Sequence, residues 1–530
     1  MVLTATVNGS GALDLVWDRC RPSVPAQDPC ASGVTQAQYY QILVRQGIGE
    51  SLFPMQGGRI TTVMPRYVVT LPNTPRISYR VRACSGPPGL GGAQDNGFWA
   101  RADSNEVGPG AAVTYVKASD AAAGHGFGTS VSLAEDGKLL AVGAPQRDGN
   151  AGTVYLYRRT GEVWAQEAFL RPSGVLANDR FGTRVVLSAD GTTLAVTATE
   201  ESRAGATGTV YVFVRSGGAW VQQAAVRPTS GLASTDRFAE SLALSGDGST
   251  LVSGGYNRTS VVGFAFVFTR SGSAWSQSQR LVPGDPESND LFGIETALSQ
   301  DGSTLAIGAP GKLGFRGAVY VFARSRVSFS QQIRLVADDG AAFDQLGRAL
   351  SLSGNGARLA AGAERASGTA GAVYLFGRSG GVWSQTVRLQ PRVSLTAAVF
   401  GHRVALSREG TKLVASGRGD DADERGLLYA PTRTPEEIQI DNYDGDLANG
   451  VRVASGAAWI FVERNGTWRE TAIVKALNSE TNDLWGTGLA LSGGGRTLAI
   501  GGPGEDGAAR TINGDRSSNA ASDAGAVFVH

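Results

Sequence analysis

The carboxylates spaced most like a cation-holding loop lie in the run Asp441-Asn442-Tyr443-Asp444-Gly445-Asp446. A calcium ion takes roughly six to eight oxygen ligands. Asp441, Asp444 and Asp446 are therefore the candidate metal ligands, with loop carbonyls and water completing the shell. The surrounding stretch is acid-rich. Residues 417–455 hold nine acids (Asp420, Asp421, Asp423, Glu424, Glu436, Glu437, Asp441, Asp444, Asp446) against four arginines (Arg418, Arg425, Arg433, Arg452), a local net charge of −5. A second acidic stretch carries Glu505, Asp506 and Asp515. Asp420, Asp421, Asp423, Glu424, Tyr443, Glu505, Asp506 and Asp515 are the candidate partner-binding residues. Such a surface suits a basic partner, or a cation bridging to an acidic one, and its binding should weaken with salt.

Covalent and acid–base chemistry find little to work with. The three histidines are His125, His402 and His530. His125 precedes and His402 follows a repeat boundary, and neither lies in a local nucleophile–base–acid pattern. No catalytic residue is expected, and the protein reads as a non-enzyme. Gly493-Gly494-Gly495 is a turn, since no Lys-Ser/Thr helix start follows it. Arg418-Gly419-Asp420 matches an integrin-ligand tripeptide, but a tripeptide arises easily by chance and the flanking Asp421-Ala422-Asp423-Glu424 reads as a generic acidic loop. Cys20, Cys30 and Cys84 all fall in the first 110 residues. Cys20 and Cys30 bracket a Pro-rich loop that a disulfide would close, but pairing of either with Cys84 is equally open. The spacing does not fit zinc. No cofactor is expected.

The elements that must position these residues come from a repeat. Seven openers, Phe127, Phe181, Phe238, Phe292, Leu346, Phe400 and Trp485, are each followed at fixed offsets by two leucines, the first set running Leu133, Leu187, Leu244, Leu298, Leu352, Leu406, Leu491. Between the leucines lies a turn pair such as Asp190-Gly191, Asp301-Gly302 or Asn355-Gly356. Such pairs supply the positive φ of tight hairpins. Runs such as Val319-Tyr320-Val321-Phe322 are apolar at every position, which predicts a strand buried on both faces. A fourth strand starts near Trp164, Trp220, Trp275, Phe329, Trp383 or Trp468, whose periodicity marks them as packing residues rather than a sugar platform. Four strands per copy in a fixed array mean a propeller or solenoid. Residues 111–118 match the fourth strand of the sixth copy, with Lys117 opposite Lys475, while the last copy stops after a third strand. Strand 111–118 should therefore complete the last copy and remove its exposed edge. The Asp residues just before the openers (Asp179, Asp236, Asp290, Asp483) should accept turn hydrogen bonds.

Phe-Gly followed by Gly-Ala-Pro (Gly143-Ala144-Pro145, Gly308-Ala309-Pro310) resembles the FG-GAP repeat of integrin-α-like propellers, the bacterial members above all. The resemblance implies a seven-bladed β-propeller over 111–530, closed by an N-terminal strand in blade seven. It also implies calcium in an Asp-x-Asp-x-Asp-Gly loop between strands one and two. Here that loop is short and holds one or two acids, so calcium, if bound, is not bound by the family loop. Residues 1–108 alternate in short strands (Leu13, Leu15, Trp17; Tyr40–Val44; Ile77–Ala83) and resemble a fibronectin type III β-sandwich. The fold class is thus all-β.

Lys plus Arg total 48 and Asp plus Glu 47. That balance gives no electrostatic case for nucleic acid. No apolar run is long enough to span a bilayer, and no signal peptide is visible. Both resembled modules are commonly extracellular, so a mature extracellular or cell-surface chain is expected. The functional expectation is a non-catalytic interaction protein for adhesion, attachment or assembly. Its partner would be a protein or glycan at a surface, or a second copy of the chain. The alternatives are a carbohydrate-binding lectin and the accessory domain of a secreted enzyme. The enlarged connections of copies six and seven are the expected working surface.

Overall fold

The structure is a computed structural model. It describes 3–7, 13–18, 39–46, 53–60, 66–71 and 77–84, and 114–530 except 162, 203–206, 327, 369, 393–398, 420–425, 430–454, 477–479, 481 and 515–519. The chain divides into two compact units, Met1–Val113 and Thr114–His530. Among the described residues nearly all regular structure is antiparallel strand. The two short helical turns, Arg147–Asn150 and Lys312–Phe315, contain left-handed residues and are tight turns in effect.

The first unit has two three-stranded antiparallel sheets. Leu13–Asp18 runs between Leu3–Val7 and Arg66–Leu71, and Tyr39–Gln46 runs between Phe53–Ile60 and Ile77–Cys84. Trp17 pairs with Leu3 on one side and Tyr67 on the other. The strand expected from Trp99 to Val107 lies outside the described residues.

In the second unit the first six sequence copies each contain a four-stranded antiparallel meander, and the last copy supplies three strands. Copy four shows it most simply: Glu295–Leu298, Thr304–Ala309, Ala318–Ser325 and Ser328–Leu335 pair in that order. Its third strand is buried from Ala318 to Phe322, as its unbroken apolar run demands. Copies two and three are joined into one sheet by the two-residue strand Asp236–Arg237. Copy six gains a strand, Gly426–Tyr429, which pairs along Thr467–Lys475. That corrects the expectation of a loop there: the long connection covers a sheet edge that would otherwise present unpaired backbone groups. The strand expected at 111–118 is present at Thr114–Val116 and pairs with Ala526–Val529, Val116 opposite Val527.

The opener and the Gly-Ala-Pro triplet meet between copies. A Cβ on Gly143 would lie 2.0 Å from the carbonyl oxygen of Gly182, the glycine after the next opener, and Gly308 meets Gly347 in the same way. Only glycine lets these backbones approach so closely. The opener ring packs edge-on to aromatics of its own third strand, as Phe292 does with Tyr320 and Phe322.

The turns between first and second strands are wider than two residues. In copy two Ser188 N–H donates to Thr193 O and Gly191 N–H to Ser188 O, while the Ser188 hydroxyl and Thr192 N–H both bond Asp190. These turns then join one another. Glu135 N–H donates to Ala189 O, Ala189 to Gly246 O, Gly246 to Gln300 O, Asp301 to Gly354 O, Gly354 to Arg408 O, Arg408 to Gly493 O, and Gly493 back to Glu135 O, at 2.8–3.4 Å. The circuit is closed. The first strands of successive copies touch in the same cyclic order, the last against the first.

Candidate functional site

Inside that circuit the residue three places after each opener decides what faces its neighbours. The column reads Ser130, Arg184, Ser241, Glu295, Ala349, Arg403, Gly488. The serines turn back to backbone carbonyls of the next copy, Ser130 to Gly182 and Ser241 to Gly293, both at 2.8 Å. The long side chains instead reach across the circle. Arg184 Nη2 lies 3.1 Å from Glu295 Oε2, and Arg403 Nη1 lies 3.7 Å from the same oxygen. The three come from copies two, four and six, which are not neighbours. Each arginine is steadied by a carbonyl: Arg184 Nε donates to Glu240 O (3.3 Å), and Arg403 Nε to Thr487 O (3.2 Å).

A second group adjoins them. Glu364 accepts from His402 Nδ1 at 2.8 Å and lies 3.5 Å from Arg348 Nε. Burial pushes His402 down to about 4, against the opposing hydrogen bond to Glu364, so the ring is neutral at pH 7 and donates its Nδ1 proton. Burial alone would raise Glu364. The hydrogen bond from His402 and the charges of Arg348 and Arg418 outweigh it and hold this carboxyl at about 2. Burial, with repulsion from Arg184, pushes Arg403 down to about 9, which leaves it charged at neutral pH. Four arginines (Arg184, Arg348, Arg403, Arg418) thus face two glutamates (Glu295, Glu364), four minus two leaving +2. Arg184 and Arg403 each keep 24 % of their side chain exposed, so the excess guanidinium is reachable from solvent. Planar forks with spare donors are suited to an acidic group.

A different cluster joins the two ends of the second unit. Lys117 Nζ lies 2.6 Å from Glu505 Oε2, and the Tyr115 hydroxyl donates to Glu505 Oε1 at 2.5 Å. Asn513 Oδ1 accepts from Tyr115 N–H, and Asn513 N–H donates to Tyr115 O. Asp483 is beside them, its carboxyl raised to about 7 by burial, with Glu505 and Glu480 adding repulsion against the hydrogen bonds from Glu480 N–H and Trp485 Nε1.

Of the residues expected to meet a partner, Glu505 is 2 % exposed and faces inward onto Lys117. Asp506 is half-buried and caps Asp523 N–H. Asp420, Asp421, Asp423, Glu424, Tyr443 and Asp515 lie outside the described residues, as do Asp441, Asp444 and Asp446. No group of His, Cys, Asp or Glu suited to a metal occurs among the described residues. The Asp residues before the openers do accept turn hydrogen bonds, for example Asp179 from Leu176 N–H and Asp290 from Glu287 N–H. Trp164 and Trp383 are buried in the core, in keeping with a packing role. The arginine cluster was not anticipated. Its signal was the charged residues that stand two and three places after some openers (Arg348, His402; Arg184, Glu295, Arg403) and at the third triplet position (Glu364, Arg418), where most other copies hold small residues or proline.

Four segments, 113–157, 164–213, 275–322 and 329–376, match the FG-GAP repeat. No curated protein matches the chain. Among solved structures, a putative 6-phosphogluconolactonase from Bacteroides fragilis NCTC 9343 is 12 % identical, with a TM-score of 0.43 over 84 % of this chain and 97 % of that one. No helix among the described residues is long and apolar enough to cross a membrane.

Proposed function

We propose that the chain is a non-catalytic interaction protein of the extracellular or cell-surface type, serving adhesion, attachment or assembly. In this reading Thr114–His530 is a seven-bladed propeller closed by its own first strand, and the first unit is a fibronectin III-like spacer. The closed hydrogen-bond circuit through the first turns carries the architectural part. One observation carries the functional part: His402 N–H donates to Ser416 O at 3.0 Å, two residues before Arg418, where the enlarged connection of copy six begins. The arginine cluster therefore lies at the root of that connection, so a rigid cationic centre adjoins the start of an acid-rich sequence. Loops on a rigid scaffold are where recognition usually resides.

The test replaces residues 419–450 with a short Gly/Ser turn and compares both proteins on immobilised extracellular-protein and glycan arrays. The parent should give a salt-sensitive signal that the trimmed protein loses at unchanged melting temperature. Equal signals from both would remove this connection from the function. Competition by free sugar would turn the reading to a lectin.

A further inference from the structure

We propose that copy three carries a carboxylate-binding cleft centred on Arg280. The argument comes from comparing equivalent positions. In copy four the Tyr320 hydroxyl donates to Asp285 Oδ1 at 2.6 Å, and Arg334 is paired with Asp285 Oδ2. In copy five the same offsets from the opener hold Tyr374, Asp339 and Arg388, with Arg388 Nε 3.3 Å from Asp339 Oδ2, while burial and the neighbouring Asp339 carboxylate raise the Tyr374 hydroxyl. Each of these copies thus has a Tyr–Asp–Arg triad in which the carboxylate neutralises the arginine.

Copy three keeps the arginine and loses both partners. The aspartate position is Gly231, the tyrosine position is Phe266, and the arginine is Arg280. Among the described residues no hydrogen bond or ion pair holds its guanidinium. It lies instead over two rings, with Cζ 5.6 Å from the Phe264 centroid and 6.0 Å from Phe266. A cleft of about 520 Å³ opens here, lined by Gly231, Leu232, Val262, Phe264, Arg280 and Pro286 among others. A Cβ on Gly231 would lie 3.0 Å from Arg280 Cδ and 3.6 Å from Phe266 Cε1. The space that an internal carboxylate fills in copies four and five is therefore beside the cleft here. Asp236 also lines it, but its oxygens are occupied by Ala233 N–H (2.8 Å) and Asn257 Nδ2 (2.7 Å), so it does not supply the missing partner.

The ligand class follows. The group that fills this position in copies four and five is a carboxylate, and the walls around it here are largely apolar. The fitting ligand is a carboxylate on an apolar or aromatic body. The guanidinium would take the charge by paired hydrogen bonds, and Phe264 and its neighbours the hydrocarbon. This inference is independent of the interaction site proposed above.

Titration calorimetry of the full chain with benzoate and with its neutral isostere benzamide tests the assignment. Benzoate should bind at least about tenfold more tightly than benzamide, as a charge-assisted pair requires. Arg280→Gln should weaken benzoate about tenfold or more and leave melting unchanged, because the side chain is exposed. Phe266→Tyr combined with Gly231→Asp returns a hydroxyl and a carboxylate to the guanidinium, at a backbone position strained for aspartate (φ +83), and should weaken binding strongly. Should that pair of changes disturb the fold, Arg280→Gln alone decides. Absence of benzoate binding, equal binding of benzamide, or full affinity in Arg280→Gln would overturn the proposal. Tighter binding of inorganic phosphate than of benzoate would overturn the carboxylate assignment.

Discussion

His402 and Glu364 make the second unit acid-sensitive in a definable window. The folded histidine takes its proton near 4, where an ordinary histidine does so at 6.5. The unfolded chain therefore binds the proton first, and stability falls as pH drops from about 6.5 towards 4, by an amount on the order of 3 kcal/mol. Glu364, lowered from 4.5 to about 2, adds stability that is present above 4.5 and lost as pH falls through 2. Asp483 works in the opposite sense. Its raised value, about 7 against 3.8, means stability that is full below 3.8 and lost as pH rises through 7. Between about pH 4 and 6.5 these two slopes oppose each other, so in melting temperatures read from pH 4 to 8 His402→Gln should shift the profile towards greater stability at acid pH, and Asp483→Asn should steepen the acid loss. An acid limb unchanged in His402→Gln would place its origin elsewhere. None of this was visible locally in the chain. His402 follows an opener as any turn residue might, and its partner Glu364 belongs to the preceding copy, where it takes the proline position of the Gly-Ala-Pro triplet (Gly362-Ala363-Glu364). The aspartates before the openers were legible, because a turn bond needs only three residues of sequence.

At the scale of elements, the connection between the last two strands changes the meaning of its acids. Glu505 looked like a surface acid because the sequence around it is polar and Gly-rich. It is buried because Lys117, nearly four hundred residues earlier, arrives on the strand that completes the sheet. Removing one member of a buried pair strands the other charge, which typically costs about 3–5 kcal/mol, whereas removing both with apolar replacements is far milder. Lys117→Met and Glu505→Gln should each lower the melting temperature strongly, and the double variant should recover most of the loss in a double-mutant cycle. Additive losses would show that the pair is not coupled. The same geometry limits how the loops can be trimmed. Replacing 505–522 removes Glu505 and Asn513, both bonded to Tyr115, so only the copy-six connection offers a clean test of recognition. Trimming that connection removes Gly426–Tyr429 and leaves Thr467–Lys475 as an outer edge, as the fourth strand already is in copies one, four and five. Strand existence and register were readable from the openers, leucines and turn pairs. The extra strand was not, because residues 426–429 have no counterpart in the other copies.

For the second unit as a whole, closure depends on a very short element. Thr114–Val116 supplies the outer partner of Ala526–Val529 through three residue pairs, and Lys117 fixes it by the buried bond to Glu505. The matching sequences around Lys117 and Lys475 made this strand legible before any coordinates, since a fourth strand without its first three must belong to a copy elsewhere. What the sequence could not show is how the ring is secured. The backbone circuit through Glu135, Ala189 and Gly493 is made by main-chain groups, to which side-chain identity is nearly blind. Two truncations separate an appended module from a structural strand. Removal of residues 1–110 leaves Thr114–Lys117 in place and should preserve the cooperative melting of the second unit. Removal of residues 1–118 takes away the strand, the Lys117 partner of Glu505 and the Tyr115 contact with Phe528, whose rings are 5.3 Å apart. It leaves Ala526–Val529 as an uncovered edge and takes the Lys117 and Tyr115 bonds from the buried Glu505 carboxylate. That variant should melt well below the first and associate through its free edge, seen as concentration-dependent mass in size-exclusion chromatography with light scattering. Equal melting and monomeric behaviour for the two truncations would mean that the circuit of turns alone holds the ring, and that strand 114–116 merely decorates it.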